Sequence, residues 1–152
     1  MLVTTHVFVG ALIGLAMPNP VSAFAAGASS HLALDAVPHW GPLPEADWYP
    51  VARADGLAGL SAILTCAVVT PRGRLPGVLA GIAGSAVVDM DKPMGYWFGR
   101  SPWPGWFDRF HVWVQREAPT RLPRDVAVCA VVGGVTVAVL WLSGRQARAR
   151  CP

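Results

Sequence analysis

Five apolar stretches, residues 2–17, 21–37, 55–70, 75–90 and 126–142, fill more than half of the 152-residue chain, each bounded by Pro, Gly or charge. Inside them Asp35, Asp55 and Asp89 are the only acidic residues, and no Lys or Arg occurs. Segments of 16 or 17 residues predict helices; at about 1.5 Å per residue each is about 25 Å long, the short limit for crossing hydrocarbon. With 53% hydrophobic and only 14% charged residues, the chain is too apolar for an ordinary soluble domain. The expectation is one membrane-embedded, all-α domain over residues 1–152, a bundle of about five helices.

Proline and glycine set its connections. Pro18, Asn19 and Pro20 allow a tight reversal between the first two helices, and "PRGR" (71–74) does the same between the third and fourth. Two helical hairpins and a C-terminal helix are therefore predicted. The basic tail, 143–152, carries Arg145, Arg148 and Arg150, and the PRGR turn carries Arg72 and Arg74, both without an acid. The positive-inside tendency assigns both to the cytoplasmic side, which agrees with five crossings and leaves the C-terminal tail cytoplasmic. The polar segments 38–54 and 91–125 then share the opposite face. They hold Trp40, Trp48, Trp97, Trp103, Trp106 and Trp113, six of the seven tryptophans, as expected at a bilayer interface. In "PGWFDRFHVWVQREA", Trp106, Phe110 and Trp113 share a helical face against Asp108, Arg109 and Arg116, which predicts an interfacial helix within 91–125. The N-terminal stretch resembles a signal peptide, but no Lys or Arg precedes Arg53, so it is expected to stay as a helix.

Two function classes drop out on composition. Cys66, Cys129 and Cys151 have no CxxC spacing, which speaks against a disulfide framework or a thiolate zinc site. The net charge of +3 and pI near 9.1 are not gathered into a basic stripe with stacking aromatics, so no nucleic-acid partner is expected.

The few polar residues inside the apolar stretches converge. His6 lies twelve residues before Pro18 and His31 eleven after Pro20, so an antiparallel hairpin lifts both to about 17 Å from the turn. Asp55, sixteen before Pro71, Asp89, fifteen after Arg74, and Asp35, fifteen after Pro20, lie at about 23 Å. Positions four apart share a helix face, and the stripes Gly27–His31–Asp35, His6–Gly10–Gly14, Asp55–Gly59 and Gly77–Gly81–Ser85–Asp89 all carry glycine. Glycine lets backbones approach, so these faces should point into the bundle.

Lone charges there cost several kcal/mol, on the order of what a shared cation would offset. Imidazole and carboxylate donors without thiolate suit zinc, manganese or iron, with zinc first on commonness and one or two ions in number. The candidate ligands are His6, His31, Asp35 and Asp89, with His39 just past the end of helix 2 and His111 closing the site from the interfacial segment. Asp55 and Asp91 are the candidate general bases; an N-cap at the start of helix 3 accounts for Asp55 equally well. Arg53, Lys92, Arg100 and Arg109 flank the site and suit an anionic headgroup.

Thr5-His6, the Asn19-Pro20 turn, "SHLALDAVPH" (30–39) and "VDMD" (88–91) resemble small prokaryotic membrane proteins of the membrane-bound metal-dependent hydrolase type, whose pattern is Thr-His, Asn-Pro, SHxxLDxxPH and PDxD. The likeness covers about the first 95 residues, and "FHVWVQRE" around His111 extends it. Val88 stands where that pattern has proline, and an "HRGxTHS" block has no counterpart. The resemblance implies a metallohydrolase distantly similar to phospholipase-like helical folds, acting on a phosphoester or lipid-like substrate in the cytoplasmic membrane of a prokaryote. The competing expectation is a non-enzymatic membrane protein in which the ion is a structural staple or a transported cargo.

Overall fold

A computed structural model describes residues 1–41 and 45–149. Seven α-helices account for most of them: α1 (Val3–Ala16), α2 (Pro20–Asp35), α3 (Glu45–Val69), α4 (Leu75–Val87), α5 (Asp91–Phe98), α6 (Gly105–Val114) and α7 (Leu122–Ala149). Single 3-10 turns at Val88–Met90 and Pro119–Arg121 join α4 to α5 and lead into α7. The all-α bundle is as expected from the sequence. Arg150 and Cys151 of the basic tail, and the side chain of Arg148, lie outside the described residues.

Local chemistry explains most boundaries. Asn19 accepts from Ser22 N at 2.9 Å and Pro20 occupies the first turn, so the PNP turn caps α2 in the same move that reverses the chain. Ahead of Pro38, α2 ends at Asp35. Gly99, at φ +66°, closes α5 in the left-handed conformation that glycine adopts without penalty. Two boundaries differ from expectation. Helix α3 begins at Glu45, ten residues early, because Pro50 falls in its second turn and costs only one backbone bond there. Asp55 is thus mid-helix and not the N-cap of α3. Helix α7 likewise outruns 126–142 at both ends.

The second hairpin forms in chain order, but its two helices are not each other's main neighbours. Although α4 follows α3 through the PRGR turn, it packs mainly between α1 and α2, and α3 lies chiefly against α1 and α7. Glycines decide this. A Cβ on Gly81 would overlap the backbone of Gly10 and Gly14, one on Gly27 would overlap the Gly81 carbonyl, and one on Gly84 would overlap Phe24. The α4 backbone therefore lies directly on α1 and α2, at a distance that a larger side chain forbids. A small apolar core of Val7, Ala11, Ala62, Cys66, Val78, Ile82 and Leu140 ties α1 and α4 to α3 and α7.

The outer surface is apolar. Trp48–Val69 and Pro119–Gln146 are long and apolar enough to cross a membrane, and only 17% of the apolar window in each is buried. Leu57, Leu60, Leu64 and Val68 form one exposed stripe on α3. Exposed hydroxyls on these faces are satisfied within their own helix: Ser61 bonds to Leu57 O at 2.9 Å, Thr65 to Ser61 O at 2.8 Å and Ser143 to Val139 O at 2.8 Å. That arrangement suits a solvent offering no hydrogen bonds.

Of the six tryptophans expected at an interface, Trp97, Trp106 and Trp113 are exposed, whereas Trp40 is buried. Trp40 turns inward because its amide donates to the buried carboxylate of Asp125 at 2.9 Å, a contact that seats the start of α7 beside the end of α2.

Candidate metal centre

One end of the bundle collects the start of α1, the ends of α2 and α4, and α6 above them. Helix C-termini carry partial negative charge, so the ends of α2 and α4 favour a cation at this place. The opposing N-terminus of α1 is neutralised from outside. Asp55 of α3 accepts from Val3 N at 2.6 Å, Thr4 N at 3.2 Å and Thr4 Oγ1 at 2.6 Å. Leu2, the N-cap residue of α1, supplies no side-chain bond, and Asp55 takes that role across the helix pair.

Asp35 is the hub. Its Oδ2 lies 3.1 Å from His31 Nε2 and 3.3 Å from His111 Nε2, and its Oδ1 lies 3.3 Å from His6 Nε2 and 3.0 Å from the Met1 amino nitrogen. Asp89 Oδ1 lies 3.6 Å from His31 Nε2 and 3.8 Å from His111 Nε2. The two Nε2 atoms stand 3.3 Å apart. One ligand atom from each of His31, Asp35, Asp89 and His111 falls within 4.8 Å of every other.

These spacings fit an ion. Four donors about 2.1 Å from a tetrahedral centre stand about 3.4 Å from one another; five of the six separations in this group run from 3.1 to 3.8 Å, and all four residues keep a ligand atom within 4.8 Å of the others. The tautomer fits as well: His31 Nδ1 donates to the Ser85 carbonyl at 2.6 Å, which leaves its Nε2 lone pair facing the cluster. Asp89 Oδ1 is buried without a hydrogen-bond donor. Lys92 Nζ forms an ion pair with it at 2.7 Å.

Charge at the exposed end of the cluster points the same way. Burial works against a charged His111, yet hydrogen bonding to Asp35 and then Asp91 outweighs it and pushes its pKa up to about 9. The Lys92 ammonium lies 2.7 Å and the His31 imidazole 3.6 Å from the Asp89 carboxylate.

The other candidates take different places. His6 is fully buried, stacks on His31 with ring centroids 4.0 Å apart, and reaches only the outer oxygen of Asp35. Asp91 Oδ2 lies 3.7 Å from His111 Nδ1, on the far edge of that ring, where it can orient the imidazole. His39 donates through Nδ1 to Val37 O at 2.8 Å and points Nε2 toward Glu117 Oε1, 3.8 Å away. Backbone pairing with Glu117 holds it there, outside the four-residue group, because Pro38 turns the chain out of α2. Asp55 is committed to the start of α1. Of the four flanking cations, Lys92 reaches the ligand atoms, while Arg53 lies over the Tyr49 ring at 5.7 Å.

Sequence reasoning missed Gln115. With its amide oriented to satisfy both ends, its oxygen accepts from His111 Nε2 and Lys92 Nζ, each at 3.2 Å, and its nitrogen donates to Glu117 Oε1 at 3.2 Å. The available signal was its place four residues after His111 on one helical face. No protein-family model, curated protein or solved structure matches this chain.

Proposed function

We propose that this chain is an integral membrane metallohydrolase that holds a divalent cation, zinc in the first instance, on His31, Asp35, Asp89 and His111. The observation that supports it most is the inward-facing set of two Nε2 atoms and two carboxylate oxygens at ligand spacing, buried at one end of a bundle with an apolar exterior. A divalent ion there supplies Lewis acidity toward a phosphoryl or carbonyl oxygen and makes water acidic near neutral pH. Asp91 and Ser85 orient the two imidazoles, and His6 supports Asp35 from the side away from the cluster. Glu117, one amide beyond the cluster through Gln115, joins Asp91 as a candidate proton acceptor. The substrate in this reading is a phosphoester, lipid-like because α3 and α7 are read as spanning the bilayer. The exposed Trp97, Trp106 and Trp113 then rest at its surface. The setting is the cytoplasmic membrane of a prokaryote with the C-terminal tail inside, on the positive-inside argument.

A second reading is favoured by the donor count. Four protein donors complete a tetrahedral zinc and leave no open position, as in structural sites, and here they join α2, the 3-10 turn and α6. The ion would then staple the bundle end. Purified protein loaded with zinc, manganese or iron, and the same protein stripped with chelator, should be assayed against a panel of phosphomonoesters, phosphodiesters and carboxylic esters. Metal-dependent turnover supports the hydrolase. Stoichiometric metal with no turnover, accompanied by a large drop in melting temperature on stripping, supports the staple.

A further inference from the structure

Lys92 is the one residue of the cluster that the metal reading does not explain. Its ammonium lies 2.7 Å from Asp89 Oδ1 and 3.2 Å from the Gln115 amide oxygen. Its side chain is still 32% exposed, against 0% for Asp35 and 1% for His111. It therefore stands at the open side of the site, with hydrogen-bonding capacity toward whatever enters, since an ammonium carries three donors.

Charge then restricts the ligand. Asp35, Asp89 and Asp91 bring three negative charges and Lys92 one positive, so a single divalent ion brings the side-chain sum to zero. The Met1 amine shifts that sum by one unit upward and Glu117 by one downward. In none of these cases does the site reach the two positive charges that a phosphomonoester dianion would call for. The one ammonium matches the single charge of a monoanion, whereas the second charge of a dianion finds no further free cation among the described residues and faces the carboxylates.

We propose that Lys92 is the anion-contacting residue of this site and that the site takes phosphodiester monoanions in preference to phosphomonoester dianions. The proposal rests on the metal reading above.

The test uses full-length protein in detergent loaded with manganese, with phosphorus NMR relaxation reporting dimethyl phosphate and methyl phosphate at pH 8. The expected result is manganese-dependent relaxation of dimethyl phosphate with an affinity at least tenfold above that for methyl phosphate. Lys92→Gln should lose tenfold or more of that affinity while keeping one manganese per chain, and Lys92→Arg should stay within about threefold of wild type, the charge being retained. Micelles doped with phosphatidylglycerol, a diester monoanion, against micelles doped with a phosphate-free glycolipid separate the two sources: competition by the former alone assigns a lipid headgroup, and its absence assigns a soluble diester.

Equal affinity in Lys92→Gln and wild type, or preference for methyl phosphate, overturns the proposal. Loss of manganese from Lys92→Gln also overturns it, by making Lys92 part of the ion's support. A wild type that takes up no metal refutes the proposed function itself, which is a separate outcome from metal uptake without diester binding.

Discussion

Replacing Asp55 separates an architectural role from a chemical one. Its carboxylate receives the Val3 and Thr4 amides at 2.6 and 3.2 Å and the Thr4 hydroxyl at 2.6 Å, and that hydroxyl also reaches the Asp55 carbonyl at 3.0 Å. Asp55→Ala strands two amides at the N-terminus of α1, while the hydroxyl keeps the carbonyl. Losing a cap costs about 0.5–2 kcal/mol, and hydrogen bonds to a charged acceptor contribute about 1.5–3 kcal/mol each. Removal of a negative charge from a helix N-terminus adds about 0.3–1 kcal/mol. These terms overlap, so the expected destabilisation is about 2–4 kcal/mol, or a melting temperature lower by about 4–16 °C for a chain of this size. Asp55→Asn keeps one acceptor oxygen and should cost about half as much. Thermal unfolding in detergent, read beside metal content, checks both. Metal binding should persist in Asp55→Asn, because Asp55 is outside the four-residue group. An Asp55→Ala protein as stable as wild type, or an Asp55→Asn protein of normal stability that fails to hold metal, would refute the capping role.

Three further outcomes follow from the same geometry. Gly81→Ala places a Cβ against the backbone of Gly10 and Gly14 and should destabilise by about 1–3 kcal/mol or more, whereas Gly134→Ala, with nothing within 4 Å, should be neutral or gain up to about 1 kcal/mol in helix propensity; thermal melts of the pair compare them directly. Asp91→Asn, which weakens the orientation of His111, should reduce metal affinity about tenfold or more without removing a ligand, as measured by competition with a chelating dye. The pH dependence of metal affinity follows from His111. Its pKa of about 9 lies above the ordinary 6.5, so the metal-free protein holds that proton below pH 9 and the incoming ion must displace it. Apparent affinity should therefore rise by about one log unit or more per pH unit up to about pH 9 and level off above it; affinity that falls with rising pH in this window contradicts a ligand role for His111.

Much of the centre was legible because helix rise and period are nearly invariant. His31 and Asp35, four apart on α2, meet at 3.1 Å as that spacing requires. Counting from the PNP turn also brought His6 level with His31, and the two rings stack with centroids 4.0 Å apart. The same counting placed Asp55 at the right height but not in the right company, because height does not say which helices are neighbours. That choice depended on glycine matching between α4 and the pair α1–α2, which are not consecutive with it. The start of α3 was obscured by Pro50, whose usual reading as a helix boundary fails when it lies in an early turn. His39 illustrates a different limit. It belongs to the SHxxLDxxPH block, yet one residue after Pro38 the chain leaves the helical register and pairs with Glu117, a partner 78 positions away. Glu117 lies in the strand-like passage that results, where no periodic pattern announces it, and Gln115, at the C-cap of α6, keeps only its four-residue relation to His111 as a signal.

The most direct test of the account is the metal content of purified protein, by mass spectrometry after exposure to zinc and then to cobalt, for wild type, His31→Ala and Asp35→Asn, with Gly134→Ala as a folded control. The account predicts one tightly held ion per wild-type and control chain, a cobalt spectrum with the intense visible bands of four-coordinate nitrogen and oxygen ligation, and loss of both in the two ligand variants. Wild-type protein that stays metal-free, or ligand variants that keep their ion and its spectrum, would contradict it.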